Sequence, residues 1–271
     1  MKLGIIGNGF VGSATQILKN DNISTIVYDK DPLKCSPEKT TMKEIVECDI
    51  IFICVPTPMN EDGSCNLNIV ESVIRDLNQL CNFDEKLIVL RSTVTPGTSD
   101  KYNTYFMPEF LTERNYVNDF INNKNWIFGL KGTEQDNLFK QTVEDMIKIS
   151  YTSGNINYNK ITFRMNKEAE MIKLFRNNFL SVKVSFCNEI YDYCKLKEID
   201  YEKVVEIAAT DDRIGLSHTL VPGPDGKRGY GGTCFPKDIS NTLFDMKLNG
   251  MKSYILESSF NRNKELDRNK M

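Results

Sequence analysis

Residues 2–12 read Lys-Leu-Gly-Ile-Ile-Gly-Asn-Gly-Phe-Val-Gly, and this stretch decides the fold. A short apolar run over residues 2–6 leads into a G-x-G-x-x-G motif, and apolar residues recur at helical spacing over residues 10–20. The first glycine of such a motif allows a tight turn, the second admits a pyrophosphate, and the third lets helix and strand pack closely. We therefore predict a strand, a turn and a helix that bind a dinucleotide through Gly7, Asn8, Gly9, Phe10, Val11 and Gly12.

An acidic residue follows the next strand-like segment. Residues 23–28 are rich in β-branched side chains and end at Asp29, 22 residues after Gly7. A carboxylate at this point can accept hydrogen bonds from both ribose hydroxyls, and it repels a 2′-phosphate. The sequence therefore predicts NAD rather than NADP as the cofactor, with Lys30 as a further contact that slightly weakens this preference. The alternative is a plain glycine turn beside a surface aspartate.

Strand-like and helix-like segments alternate through the first half of the chain, and the second half changes character. The alternation predicts an α/β fold, a doubly wound parallel sheet of the Rossmann type, over residues 1–160. Residues 166–197 contain neither glycine nor proline, which predicts one helix of about 30 residues. We expect a mostly α-helical unit over residues 161–271, with a homodimer interface on residues 166–197.

Composition excludes several classes of protein. The chain has 271 residues, 34 Lys and Arg against 37 Asp and Glu, and a formal net charge of −3, which argues against a dedicated partner of nucleic acids or membrane surfaces. The single histidine, His218, argues against a Ser-His-Asp triad or a multi-histidine metal site. The eight cysteines form no Cys-x-x-Cys pair, so we expect neither a zinc ribbon nor a thioredoxin-type motif, and no metal. Residues 1–6 do not read as a secretory signal peptide, so we expect a reducing, cytoplasmic location with free thiols.

The segment from Gly229 to Asp238, Gly-Tyr-Gly-Gly-Thr-Cys-Phe-Pro-Lys-Asp, contains the one cysteine that needs a separate interpretation. Its glycines let the backbone approach a ligand closely. Pro236 suits the first turn of a helix and places Cys234 just before a helix N-terminus, which favours the thiolate form. Asp238 is within reach for proton transfer or for orienting water. The alternative is a buried structural cysteine.

Other motifs precede the cysteine segment along the chain. They are Val55-Pro56-Thr57-Pro58, residues 91–98 (Arg-Ser-Thr-Val-Thr-Pro-Gly-Thr), residues 107–111 (Met-Pro-Glu-Phe-Leu) and residues 168–177 with Lys173 and Asn177. In this order, and together with the cysteine segment, they resemble the UDP-glucose/GDP-mannose dehydrogenase family over nearly the whole chain. The family usually continues into a third, C-terminal domain, which we expect to be absent here.

This resemblance implies the oxidation of a nucleotide-sugar primary alcohol to the acid with two NAD. A thiohemiacetal and then a thioester form on Cys234. The implied catalytic residues are Cys234, Lys173, Asn177, Asp238, Glu109 and Thr93. The implied cofactor contacts beyond the glycine loop are Val55, Pro56, Thr57 and Thr93. The implied substrate contacts are Glu109, Phe110, Leu111, Glu113, Lys173, Asn177, Arg213, Tyr230 and Gly231.

Two other functions are compatible with parts of the sequence. A non-catalytic remnant that binds NAD and dimerises would keep the glycine loop and the long helix. A β-hydroxyacid dehydrogenase would share the glycine loop and a lysine on the interdomain helix, but it performs one hydride transfer and has no use for a glycine-rich cysteine loop.

Overall fold

The structure is a computed structural model that describes residues 1–269. Its seven strands are β1 (Lys2–Ile6), β2 (Ser24–Tyr28), β3 (Ile50–Ile53), β4 (Leu87–Leu90), β5 (Tyr105–Phe106), β6 (Trp126–Leu130) and β7 (Ile161–Met165). Its helices are α1 (Phe10–Thr15), α2 (Met42–Ile45), α3 (Asn68–Asn78), α4 (Thr98–Lys101), α5 (Tyr116–Ile121), α6 (Asp136–Thr152), α7 (Asn166–Leu196), α8 (Tyr201–Ala208), α9 (Cys234–Leu248) and α10 (Ile255–Arg262).

The strands form one sheet in the order β2-β1-β3-β4-β5-β6-β7. Every neighbouring pair is parallel except β5 and β6, where Phe106 pairs with Gly129 in antiparallel fashion. The predicted Rossmann-type sheet is confirmed as a mostly parallel sheet with one antiparallel pair. An apolar run indicates a buried strand but carries no information about its direction.

The central strands are buried on both sides because helices cover both faces of the sheet. Leu3, Ile5 and Phe52 face one apolar core, whereas Ile6 and Ile53 face the other. This alternation follows from the two-residue period of a strand. Burying both faces explains why β1, β3 and β4 are almost wholly apolar in sequence. The layering places the turn after β1 at the carboxyl end of the sheet, where β2 and β3 lie on opposite sides of β1.

The chain packs as two compact units. The first contains residues 1–58 and 66–173, and the second contains residues 59–65 and 174–271. The expected division at residue 160 stays a prediction, since by packing the first unit runs on to Lys173. In the second unit, Cys187 and Cys194 of α7 form a small core with Tyr201 and Val221. The 31-residue α7 confirms the long helix that the absence of glycine and proline predicted.

Within residues 1–269, no helix combines the length and the apolar character that crossing a membrane requires.

Candidate functional site

The glycine loop lies between β1 and α1, and two of its glycines are sterically required. Gly7 has a φ of +93°, and a Cβ there would lie 2.8 Å from the carbonyl oxygen of Cys54. A Cβ on Gly12 would overlap the carbonyl oxygen of Gly7. Gly9 is different, because no atom lies within 4 Å of the place where its Cβ would be. The loop therefore leaves open space at Gly9, where the backbone N–H groups at the start of α1 can meet a phosphate.

Asn8 and Asp29 join this loop to the end of β2. The Asp29 carboxylate accepts a hydrogen bond of 2.7 Å from the Asn8 backbone N–H and one of 2.9 Å from the Asp31 N–H. The Asn8 side chain donates to the carbonyl oxygen of Lys34 at 2.7 Å. These bonds hold the carboxylate at the edge of the loop, as a ribose-binding acid requires. Lys30 is exposed beside Asp29, while Phe10 and Val11 open α1.

The loops after β3 and β4 are tied together within the first unit. Thr57 Oγ1 donates to the carbonyl oxygen of Thr93 at 2.7 Å, and Ser92 Oγ donates to that of Val55 at 2.6 Å. Pro56, between the two tied residues of the first loop, is exposed. The structure therefore brings Val55, Thr57 and Thr93 together, although they come from motifs 36 residues apart. Their contacts with the cofactor stay a prediction.

An alanine at Gly9 separates cofactor binding from folding. Because its Cβ would meet no protein atom, we expect the Gly9→Ala variant to unfold within about 1 °C of the unchanged protein, while its dissociation constant for NAD rises by at least about tenfold. Gly12→Ala is the matched control, because its Cβ overlaps the backbone and lowers the melting temperature itself. Calorimetric titration with NAD and thermal unfolding measure the two effects. Unchanged NAD affinity in Gly9→Ala would contradict this use of the loop.

A buried carboxylate and a buried lysine form an ion pair in the first unit. Lys173 Nζ lies 2.6 Å from Glu109 Oε1, and the two side chains are only 4% and 6% exposed. The other carboxylate oxygen accepts the Leu111 N–H at 2.9 Å. Burial by itself raises the pKa of Glu109, but the charge and hydrogen bond of Lys173, with smaller effects of Leu111 and Arg91, outweigh it and hold that pKa below its ordinary value. Glu109 is therefore a desolvated carboxylate that stays ionised.

Sequence reasoning missed the role of Arg91. Its side chain is 2% exposed, donates to Thr15 Oγ1 and lies with its guanidinium carbon 5.7 Å from the centre of the Phe120 ring. Its positive charge contributes to the low pKa of Glu109. The sequence places Arg91 at the start of the motif over residues 91–98, directly after an apolar strand, but neither feature reveals which carboxylate its cation will face.

In the second unit, Cys234 is the first residue of α9, preceded by the N-cap Thr233. The expected start of this helix near Pro236 is therefore two residues late. Pro236 still falls within the first turn, where a missing N–H leaves no hydrogen bond unmade. The Cys234 side chain is partly exposed, and the other seven cysteines are also free thiols.

Two polar side chains of the same unit converge on Asp238, one turn after Cys234. Asn177 Nδ2 donates to Asp238 Oδ2 at 2.6 Å, and Lys237 Nζ lies 2.5 Å from Asp238 Oδ1. Asp238 is 1% exposed and Asn177 is 7% exposed. The structure thus joins Asn177 and Asp238, two residues that the sequence singled out separately, into one hydrogen-bonded cluster.

The remaining predicted substrate contacts occupy varied positions. Glu113 lies exposed in a turn after β5, and Arg213 is exposed and paired with Asp211 at 2.6 Å. Phe110 packs near Lys173, with Nζ 5.9 Å from the ring centre. Tyr230 is 3% exposed, and Gly231 follows it in the loop before α9. Their roles toward a substrate stay predictions. Among residues 1–269, no group of three or more His, Cys, Asp or Glu side chains could hold a metal ion.

The fold and the glycine loop define the class as a Rossmann-type dinucleotide-binding protein. The NAD-binding domain model of the UDP-glucose/GDP-mannose dehydrogenase family matches residues 33–147, and the central domain model of the same family matches residues 167–265. The chain belongs to the UDP-glucose/GDP-mannose dehydrogenase family. The cofactor is NAD, and the open space at Gly9 with the acid at Asp29 fits it.

Individual relatives agree with this assignment. The chain is similar to the UDP-glucose 6-dehydrogenase of Pseudomonas aeruginosa, at 30% identity over 81% of this chain and 49% of the relative. It is also similar to that of Rickettsia bellii, at 31% identity over 82% of this chain and 51% of the relative. It therefore spans about half the length of these two curated relatives. A UDP-glucose dehydrogenase structure from Pyrobaculum islandicum has the same fold, with a TM-score of 0.81 at 24% identity over 97% of this chain and 68% of that one.

Proposed function

We propose that this chain acts as an NAD-dependent nucleotide-sugar 6-dehydrogenase, which oxidises the C6 primary alcohol of UDP-glucose to the carboxylate of UDP-glucuronate. The observation that carries the proposal is the partly exposed Cys234 at the start of α9, one turn before the buried Asn177–Asp238 hydrogen bond. Membership of the family and the names of the two curated relatives support the choice of nucleotide sugar.

The first oxidation needs a group that accepts the hydroxyl proton of the alcohol. NAD, when bound, accepts a hydride in each of the two oxidations. Glu109 is suited to act as the base, directly or through a water that Thr93 helps to hold, because its low pKa keeps it ionised near neutrality. Loss of the proton and the hydride leaves an aldehyde at C6.

Cys234 supplies the nucleophile for the second oxidation. Its thiolate sulfur bonds to the aldehyde carbon, and the carbonyl oxygen takes the negative charge, which gives a thiohemiacetal after protonation. Lys173 and Asn177, one helical turn apart on α7, are donors of the kind that stabilises such an oxyanion. Loss of the hydroxyl proton and removal of a hydride from this carbon then give a thioester.

Hydrolysis of the thioester is the last step of the proposed reaction. Water adds to the thioester carbonyl, the carbon–sulfur bond breaks, and the products are the carboxylic acid and the free Cys234 thiol. Asp238 is 1% exposed and is bonded to both Asn177 and Lys237, which fixes its carboxylate for orienting that water or moving its proton. Phe110, Leu111, Glu113, Arg213, Tyr230 and Gly231 are proposed to contact the sugar nucleotide.

A panel of nucleotide sugars tests the proposal. We expect NADH to form when the protein is incubated with NAD and UDP-glucose, and the product to be the uronate by mass spectrometry. GDP-mannose and UDP-N-acetylmannosamine are the comparison substrates. Well-folded protein that binds NAD but reduces it with no member of the panel would instead favour a non-catalytic NAD-binding protein, an alternative that the span of about half the relatives' length makes worth testing.

We also propose a homodimer built on α7, in a cytoplasmic protein whose eight cysteines are free thiols, as a reducing compartment allows. Phe175, Phe179, Phe186 and Tyr193 recur at intervals of four and seven residues and are 55% to 63% exposed. Such spacing puts them on one face of the helix, and an aromatic stripe of this kind is typical of an interface. A second copy of the same helix offers a complementary stripe.

Charges in the stripe should separate the subunits. We expect the Phe179→Glu/Phe186→Glu variant to be monomeric at about 10 µM by light scattering, because two carboxylates would have to be desolvated in the interface. Leu248→Glu, at a 74% exposed residue on α9, is the control and should leave the mass unchanged. A monomeric mass for the unchanged protein would contradict the dimer.

A further inference from the structure

Side chains of the same unit occupy the space beside part of the glycine-rich loop before Cys234. A Cβ on Gly229 would overlap Asn263 Oδ1 and would lie 2.8 Å from Asp267 Cβ. A Cβ on Gly231 would lie 2.6 Å from Arg268 Nη1. Two of the three glycines therefore make room for side chains that follow α10. By contrast, Gly232 has a φ of +74°, and nothing lies within 4 Å of its Cβ position.

Asn263 pairs with the backbone of Tyr230 in the manner of a neighbouring strand. Its Oδ1 accepts the Tyr230 N–H at 2.9 Å, and its Nδ2 donates to the Tyr230 carbonyl oxygen at 3.0 Å. The Asn263 side chain is 4% exposed, so both bonds are shielded from water. An amide side chain presents a donor and an acceptor side by side, as these two bonds require.

Arg268 directly follows a π-helical turn over Asn263–Asp267 and also binds the backbone of the glycine-rich loop. The backbone N–H of Arg268 donates to the Asn263 carbonyl oxygen at 2.7 Å, which fixes the two residues to each other. Its guanidinium donates to the carbonyl oxygens of Arg228 at 2.6 Å and Gly229 at 3.2 Å, and it pairs with Asp225 at 2.7 Å.

The Gly229 N–H bonds to Asn188 of α7 and not to the segment that follows α10. Asn188 Oδ1 accepts this N–H at 3.2 Å, and the Asn188 side chain is 1% exposed. Five consecutive backbone groups, from the Arg228 carbonyl to the Tyr230 carbonyl, are thus bonded to three side chains. A glycine-rich segment loses more conformational freedom on ordering than any other, so it needs such bonds to keep one conformation.

We propose that Asn263 and Arg268, with Asn188, are positioning residues that hold the loop at residues 228–231 and thereby fix Cys234 at the first turn of α9, with open space left beside Gly232. This inference rests on the proposed function for the role of Cys234 and not for the contacts themselves. It also corrects the interpretation that all the glycines of this segment exist for the approach of a ligand.

The test uses the full chain and the Asn263→Ala, Arg268→Met and Arg268→Lys variants. Asn249→Ala is the matched control, because Asn249 is exposed and its side chain bonds only to Asp245 in α9. Hydrogen exchange of the Gly229 amide should become at least about tenfold faster in Asn263→Ala and Arg268→Met, with Arg268→Lys intermediate, because lysine keeps the charge and loses the fork. This amide donates to Asn188, a bond that neither substitution removes, so faster exchange there reports loosening of the loop.

Two further readouts connect the loop to the thiol. Alkylation of Cys234 by iodoacetamide at pH 7.5, followed at that residue by peptide mass spectrometry, should slow by at least about fivefold in Asn263→Ala, because the thiolate is no longer held at the helix start. The kcat for NADH formation should fall while the KM for NAD stays the same. The control should match the unchanged protein in all three measurements.

The outcomes separate this proposal from the proposed function. Unchanged exchange of the Gly229 amide in both Asn263→Ala and Arg268→Met, in folded protein, overturns the positioning role whatever the activity. Faster exchange with an unchanged rate of Cys234 alkylation overturns the link to the thiol. If the protein without substitutions produces no NADH while hydrogen exchange in the variants responds as expected, the proposed function is wrong and the positioning role of the loop contacts still holds.

Discussion

The Cys234→Ser variant should form no uronate from UDP-glucose, with the rate of acid formation falling by more than about a thousandfold. A serine hydroxyl is a far weaker nucleophile than a thiolate at neutral pH. It therefore adds poorly to the aldehyde carbon, and without that addition the second oxidation cannot form an ester on the enzyme. In the proposed mechanism, the first oxidation does not use the side chain of residue 234. The variant should therefore still bind NAD with unchanged affinity and should reduce it slowly in the presence of the sugar nucleotide.

Cys81→Ser is the matched control for this experiment. Cys81 is partly buried in the first unit and donates only to the Leu77 carbonyl oxygen, at 3.5 Å. The same atom is exchanged in both variants, so loss of acid formation in Cys234→Ser alone identifies the thiol that reacts. Acid formation by Cys234→Ser within about tenfold of the unchanged protein would exclude a covalent intermediate on this residue.

The Lys173→Met variant should lose about 3–5 kcal/mol of unfolding free energy, because it leaves Glu109 as a buried carboxylate without its cation. Methionine keeps most of the volume of the lysine stem, so the loss reports on charge rather than packing. The double variant Lys173→Met/Glu109→Gln removes the stranded charge and should recover at least about 1 kcal/mol. Urea unfolding at pH 7 measures all three proteins. Equal stability of the single and double variants would show that the pair is not coupled.

The pH dependence of the same variant has a definite sign. In the unchanged protein the folded pKa of Glu109 lies below the unfolded value of about 4.3, so its stabilisation is present above that pH and is lost as the pH falls through the folded pKa. In Lys173→Met, burial is left without the opposing lysine charge and raises the pKa of Glu109 above the unfolded value. That variant should therefore gain stability as the pH falls from 7 toward 4.3, and its deficit should narrow. A deficit that stays constant over this range would contradict the assignment.

The nucleotide half of the fold could be predicted from sequence because its determinants are local. The steric demands at Gly7 and Gly12 and the acid at the end of β2 lie within 30 residues of each other. The 31-residue α7 was equally predictable, since a long segment without glycine or proline has few other ways to satisfy its backbone. The antiparallel pairing of β5 with β6 was not, because β5 has two residues and strand direction leaves no periodic signal.

The candidate site was predictable as a set of residues and less so as a set of contacts. The motifs named Glu109, Lys173, Asn177 and Asp238, but their pairing as Glu109 with Lys173 and Asn177 with Asp238 depends on packing between segments about 60 residues apart. The glycine loop before Cys234 shows the limit most clearly. Glycine indicates that something approaches the backbone closely, and only the coordinates show that at two positions the approaching groups are Asn263 and Arg268.

The number of NADH molecules formed per nucleotide sugar consumed distinguishes two hydride transfers from one. UDP-glucose is supplied at limiting concentration with excess NAD, NADH is followed by absorbance, and the remaining sugar nucleotide and the uronate are quantified by chromatography. We expect two NADH and one uronate per UDP-glucose, because the thiohemiacetal on Cys234 undergoes a second oxidation before hydrolysis. One NADH per substrate with an aldehyde or ketone as the product would contradict this expectation and would indicate a dehydrogenase of the single-hydride type.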